Sequence, residues 1–162
     1  MEKHYKDILK LVLSLSIPQA AGAIGAVFTR SSLSGWYRYL EKPSFNPSGR
    51  FIALVWTVLY VLMGFSSFLI WRKGLNYPGV KGALAIYTAQ LSINVLWSWA
   101  FFRLRSPLAG LMVISILWAS ILATILKFRR ISDAAAILLI PYQTWVSIAG
   151  YLNYSIWRLN RE

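Results

Sequence analysis

Residues 51–71 read FIALVWTVLYVLMGFSSFLIW and contain no Asp, Glu, Lys, Arg or His. A helix of about 20 apolar residues matches the thickness of the hydrocarbon layer of a membrane, roughly 30 Å. An ionised side chain at the centre of that layer costs about 3 kcal/mol or more, and this stretch has none. It therefore predicts a transmembrane helix.

The same pattern occurs four more times in a chain of 162 residues that is 57% hydrophobic, and ionisable residues lie almost wholly between the stretches. We predict an all-α membrane protein with a single domain, 1–162, built as a bundle of five transmembrane helices. The predicted spans are 9–29, 51–71, 82–102, 106–126 and 134–157.

Several kinds of chemistry lack the residues they need. The chain has no cysteine, its one histidine, His4, lies in the terminal tail, and the spans hold no acid or base apart from Lys10 at the start of the first. We therefore expect no metal site, no proton relay and no acid–base catalytic residue. The net charge of +12 comes from cations scattered singly or in short groups at helix ends, which favours the lipid bilayer as partner over nucleic acid.

The first apolar stretch follows three lysines, as in a secretory signal. It is longer than a signal, keeps Pro18 and Gln19, and has no obvious cleavage site, so we interpret it as a retained helix. An integral multi-pass protein without an obvious targeting extension favours a bacterial cytoplasmic membrane over an organellar or outer membrane.

The connector 30–50 contains SGWYRYLEKPSFNPSGR and is much longer than the other connectors. Its aromatic residues give it enough apolar surface to pack, and Pro43 and Pro47 stiffen it. We predict a short helical turn within 34–41 and a structured first loop that acts as a lid on the bundle.

The third span carries polar and aromatic residues at steps of four, three and four, which places them on one helix face. An amide facing lipid would lack hydrogen bonds, so this face points inward. The amides either bind a ligand or only join helices. The residues are Gln90, Asn94, Trp97 and Phe101.

Aromatic and small residues share a face in two other spans, the second of them just after a kink expected at Pro141. Such walls suit a flat apolar ligand, although Trp and Tyr also serve as interfacial anchors. The residues are Trp56, Tyr60 and Gly64 in the second span, and Trp145, Ala149, Leu152 and Asn153 in the fifth.

Small residues at helical spacing allow helices to approach closely, within the chain or in a homodimer. They occur as Ala21, Gly22, Gly25 and Ala26 in the first span and as Ala85 and Ala89 in the third.

The last span ends in a loose pattern proposed for cholesterol contact, formed by Leu152, Tyr154 and Arg158.

Several motifs in this order resemble the TspO/MBR family, the tryptophan-rich sensory proteins related to the translocator protein, or peripheral-type benzodiazepine receptor. Phe45 stands where the family usually has tryptophan, and Ser48 where it has the second proline of a pair. The motifs are Trp36-Tyr37-x-x-Leu40-x-Lys42-Pro43-x-Phe45-x-Pro47, Trp56 with Tyr60, Gln90-Leu91-x-x-Asn94-x-x-Trp97, Phe101-Phe102, Pro141-Tyr142-x-x-Trp145 and Leu152-Asn153.

The resemblance implies a five-helix bundle, usually dimeric, with a pocket beneath the first loop. It implies binding of porphyrins such as protoporphyrin IX or haem and, in animal members, of cholesterol and isoquinoline or benzodiazepine-type ligands, with no cofactor required. The matching pocket positions are Ala23, Tyr37, Trp56, Tyr60, Asn94, Trp97, Trp145, Ala149 and Leu152.

We therefore expect a ligand-binding sensor or translocator-type protein for tetrapyrroles rather than an enzyme. One alternative is a light-dependent porphyrin-degrading catalyst that uses Trp56 and Trp145. The other is a cholesterol or lipid carrier.

Overall fold

The computed structural model describes residues 2–161, with side-chain surroundings from His4 onward. These residues form helices and loops and no β-strand, which confirms the all-α prediction. The helices are α1 (Glu2–Leu33), α2 (Trp36–Tyr39), α3 (Gly49–Trp71), α4 (Val80–Ser98), a π-helical segment (Trp99–Arg103), α5 (Pro107–Arg129), α6 (Asp133–Leu138) and α7 (Ile140–Leu159).

Four segments are long and apolar enough to cross a membrane, namely His4–Leu33, Gly49–Trp71, Pro107–Arg129 and Asp133–Leu159. The remaining predicted span, 82–102, coincides with α4 and the π segment. Here the buried amides Gln90 and Asn94 lower the mean hydropathy, because this helix supplies the polar interior. It packs between α1 and α5, so the protein is a bundle of five transmembrane helices.

The order of the helices around the bundle is α1, α3, α6 with α7, α5 and α4, which returns to α1. Neighbours in this ring pack closely, except that the backbones of α3 and α7 barely approach each other. Side chains therefore close the space between α3 and α7.

Glycines set the close approach of α1 to its neighbours. A Cβ atom at Gly22 would clash with the edge of the Tyr60 ring on α3, and one at Gly64 would lie 2.8 Å from the carbonyl oxygen of Ser14. Ala21, Gly22 and Gly25 of α1 thus pack within the chain, whereas Ala26 of α1 is exposed, as are Ala85 and Ala89 of α4.

The last span is not one helix with a kink at Pro141, as expected, but two helices that meet at Leu139. Proline has no N–H to donate to the carbonyl of Ile137, so the regular ladder ends just before it. The Leu139 N–H bonds instead to Ala136 O (3.1 Å), and Ser66 of α3 donates to Ala135 O (2.7 Å). A hydroxyl from a neighbouring helix thus replaces a missing backbone donor.

Candidate functional site

Hydrogen bonds between uncharged groups join α3, α4 and α7 in the interior. The hydroxyl of Tyr60 donates to Oδ1 of Asn94 (3.0 Å), Nδ2 of Asn94 donates to the hydroxyl oxygen of Tyr142 (2.9 Å), and that hydroxyl donates to Oε1 of Gln90 (2.9 Å). All four side chains are buried. Because each amide provides both a donor and an acceptor, the chain of bonds needs no charge.

The amide of Asn153 fixes the orientation of the Trp97 indole, which lies nearer to loop 1, the segment 34–48 that joins α1 to α3. Oδ1 of Asn153 accepts from Nε1 of Trp97 (3.1 Å), and its Nδ2 donates to Pro107 O (2.8 Å). Gly110 makes room for this arrangement, because a Cβ atom there would lie 2.8 Å from Oδ1 of Asn153 and 2.7 Å from the ring of Phe101. The Trp97 side chain is therefore held in one position.

Aromatic rings fill the space between α3 and α7. Trp56 stacks on Tyr60 at 5.5 Å between ring centroids and meets Tyr142 edge-on at 6.1 Å, while Phe51 meets Trp145 edge-on at 6.1 Å. Trp56 and Trp145 are only half-buried. This side of the bundle is thus held by ring contacts, which a flat ligand can replace with similar contacts of its own.

Two buried N–H donors in this region have no partner among the described residues, Nε1 of Trp145 and Nε2 of Gln90. An unpaired buried donor costs about 1–3 kcal/mol, and a ligand acceptor would recover that energy. The site therefore suits a flat ligand that carries oxygen or nitrogen acceptors.

Loop 1 covers one end of the bundle, as predicted, and its helical turn is α2. Trp36 meets Phe101 edge-on at 5.7 Å, and Tyr37 lies 5.5 Å from Phe102. Burial raises the pKa of Tyr37, with the Asn46 side chain opposing the shift, so its hydroxyl stays protonated across the physiological range.

The π segment allows two consecutive phenylalanines, Phe101 and Phe102, to face the loop. It leaves the carbonyl of Phe102 outside the helical ladder, and the buried hydroxyl of Ser32 donates to that carbonyl (2.7 Å). π-helical turns are frequent at functional sites. Here the turn forms the floor on which loop 1 rests.

Lys42 organises the loop from within. Its ammonium group donates to Leu40 O (2.9 Å) and Arg38 O (3.3 Å) and lies 4.8 Å from the centre of the Tyr37 ring. Ser48, the departure from the family pattern, accepts from Phe51 N (3.3 Å) and so caps α3. Lys42 therefore orders the middle of the loop, and the Ser48 cap orders its end at α3 without a second proline.

Eight of the nine predicted pocket residues lie together in the interior. They are Trp56, Tyr60, Trp145 and Ala149 in the main core, Tyr37 and Leu152 against a second cluster formed by Phe101, Phe102 and Ile156, Trp97 in contact with both, and Asn94 through its hydrogen bond to Tyr60. Ala23 is the exception, because its side chain is exposed on α1. In the proposed cholesterol pattern, Leu152 is half-buried and packs against the cluster of Phe101, Phe102 and Ile156, whereas Tyr154 and Arg158 are exposed.

The predicted pocket set omitted Tyr142 and Asn153, although both occur in the quoted motifs. Tyr142 connects two amides, and Asn153 holds Trp97. The sequence already places Asn153 on one face of the fifth span with Ala149. Tyr142 and Val146 share that face, because the four residues follow steps of four, three and four, and this spacing could have added Tyr142 and Asn153 to the set.

No group of three or more His, Cys, Asp or Glu side chains that could hold a metal ion occurs within the part of the chain that the structure describes. The groups available to a ligand are indoles, phenols and amides. They can stack, donate and accept hydrogen bonds, and exclude water.

The fold and the site together define a polytopic membrane protein with an uncharged, aromatic interior beneath an ordered loop. The chain belongs to the TspO/MBR family, whose model matches residues 14–158, and this confirms the resemblance. A tryptophan-rich protein TspO of Chlorobaculum tepidum is 41% identical over 155 residues, covering 96% of this chain and 98% of that protein.

Other relatives extend over the same region. Protein CrtK of Rhodobacter capsulatus is 36% identical over 140 residues, covering 86% of each chain. The translocator protein of Bos taurus is 34% identical over 147 residues, covering 90% of this chain and 86% of that protein. The chain is thus an integral membrane protein of the sensory and translocator type.

Proposed function

We propose that this protein binds a tetrapyrrole such as protoporphyrin IX between α3 and α7, beneath loop 1, and acts as a sensor or translocator for it. The observation that carries the proposal is the contact of α3 with α7 through aromatic rings, among them the half-buried indoles of Trp56 and Trp145, rather than through close backbone packing. A planar macrocycle stacks on such rings. The neutral amides and the unpaired N–H of Trp145 orient its acceptors.

The experiment is a titration of the purified protein with protoporphyrin IX in the dark, followed by quenching of tryptophan emission. We expect saturable binding that is weakened about tenfold or more in Trp145→Ala and in Asn94→Ala. The control is Trp118→Phe, because Trp118 lines a separate cleft of about 330 Å³ between α5 and α7. Equal affinity in all folded variants would refute the site.

The light-dependent alternative is favoured by one observation, the position of both Trp56 and Trp145 in the ring contacts between α3 and α7. It requires dioxygen as oxidant. Loss of the porphyrin absorption bands under illumination, but not in the dark and not in a Trp56→Phe/Trp145→Phe variant, would support it.

The sterol alternative uses the outer face of α7, where Tyr154 and Arg158 are exposed. A sterol photoprobe that fails to label residues 150–161 would exclude it. We further propose that the host membrane is a bacterial cytoplasmic membrane, a proposal supported by the similarity to proteins of Chlorobaculum tepidum and Rhodobacter capsulatus.

A further inference from the structure

A single side chain at the end of α7 pairs with the backbone of loop 1. Oδ1 of Asn160 accepts from the N–H of Glu41 (3.0 Å), and its Nδ2 donates to the carbonyl oxygen of Glu41 (2.9 Å). The same Nδ2 also donates to Ile156 O within α7 (2.8 Å), which fixes the side chain in place. The two residues are 119 positions apart in the sequence.

Glu41 lies where the loop leaves α2 and turns toward Pro43. Four residues further on, Phe45 stacks on Tyr151 of α7 at 5.4 Å. The second half of the loop is thus fastened to the last turns of α7, while Trp36 and Tyr37 in the first half rest on the π segment. For the loop to lift from α7, the bonds between Asn160 and Glu41 must break.

We propose that Asn160 is a latch that holds loop 1 against α7 and sets how often the loop opens, and that this opening controls ligand exchange. The second part rests on the proposed function. A side-chain amide carries its donor and its acceptor on two separate atoms and so meets the N–H and the C=O of Glu41 at once, whereas a carboxylate can only accept. Hydrogen bonds at an exposed position are individually weak, so loss of both should raise the open population about tenfold.

The first test measures the loop without any ligand, by hydrogen–deuterium exchange of peptides covering residues 36–46 in detergent or nanodiscs. We expect exchange to rise about tenfold in Asn160→Ala. It should also rise in Asn160→Asp, which keeps the size of the side chain but cannot donate to Glu41 O. The matched control is Ser155→Ala, because that hydroxyl bonds only to Tyr151 O within α7. Unchanged loop exchange in both Asn160 variants would overturn the latch.

The second test is stopped-flow mixing with protoporphyrin IX. A latch predicts that the association and dissociation rates both rise in the Asn160 variants while the dissociation constant stays within about twofold. Unchanged association and dissociation rates, even with a lower melting temperature, or a rise in the dissociation rate alone with a matching loss of affinity, would instead indicate a merely structural residue and overturn the gating role. If loop exchange rises but no variant and no wild-type protein binds the porphyrin, the latch stands and the proposed function is wrong.

Discussion

Nδ2 of Asn94 lies 2.9 Å from the hydroxyl oxygen of Tyr142, and this bond joins α4 to α7 at the centre of the bundle. Oδ1 of the same amide accepts from Tyr60, so one side chain connects three helices. The connection contains no formal charge, which suits a helix bundle whose interior lies within a membrane.

Removal of this amide should destabilise the bundle. In Asn94→Leu the hydroxyl of Tyr60 loses its partner and that of Tyr142 loses a donor, so we expect a loss of about 1–3 kcal/mol and a lower melting temperature. Ser92→Ala is the control, because Ser92 is exposed on the same helix and bonds only within it. Equal melting temperatures of the two variants would show that the network contributes nothing to stability.

Gly110 offers a test of how tightly side chains pack at the end of the bundle that loop 1 covers. Gly110→Ala places a Cβ atom against Phe101 and Asn153, so we expect a loss of about 1–3 kcal/mol and a disturbed Trp97. Gly82→Ala meets no neighbour within 4 Å and should be neutral or slightly stabilising. Thermal unfolding in detergent measures both, and a neutral Gly110→Ala would contradict the packing described above.

Ser32 should support the π segment. In Ser32→Ala the carbonyl of Phe102 loses its donor, and we expect about 1 kcal/mol of destabilisation together with faster hydrogen exchange of residues 99–106. Ser31→Ala is matched to it, since Ser31 is exposed and bonds only to Phe28 O. If both variants exchange alike, the π segment is stable without help from α1.

The exposed small residues of α4 offer a contact surface for the predicted homodimer. We propose that Ala85 and Ala89 allow two copies to approach through α4, because neither side chain is used within the chain. A bulky side chain in Ala89→Phe should then shift the protein toward monomer in light scattering. The control is Ala119→Phe on the exposed face of α5. A mass unchanged by Ala89→Phe would place any dimer contact elsewhere.

The membrane fold could be predicted from the sequence because burial of charge in lipid is costly and charge-free stretches of sufficient length are rare by chance. The inward face of α4 followed from the same argument, and Gln90 and Asn94 are indeed buried.

The features that sequence reasoning missed depend on contacts between distant residues. The break at Leu139 is stabilised by Ser66, and the π segment by Ser32, 70 positions away. Asn160 looks like an ordinary polar residue at a helix end until its bonds to Glu41 are seen. Local periodicity holds no information about such partners.

The most direct test of the central claim is ¹⁹F NMR of protein labelled with 5-fluorotryptophan, which reports on all eight tryptophans at once. On addition of protoporphyrin IX in the dark, the ring current of the macrocycle should shift the resonances of Trp56, Trp97 and Trp145 and leave those of Trp118 and Trp71 in place. Shifts confined to Trp71, Trp118 or Trp157, with Trp56 and Trp145 unmoved, would contradict a tetrapyrrole site between α3 and α7.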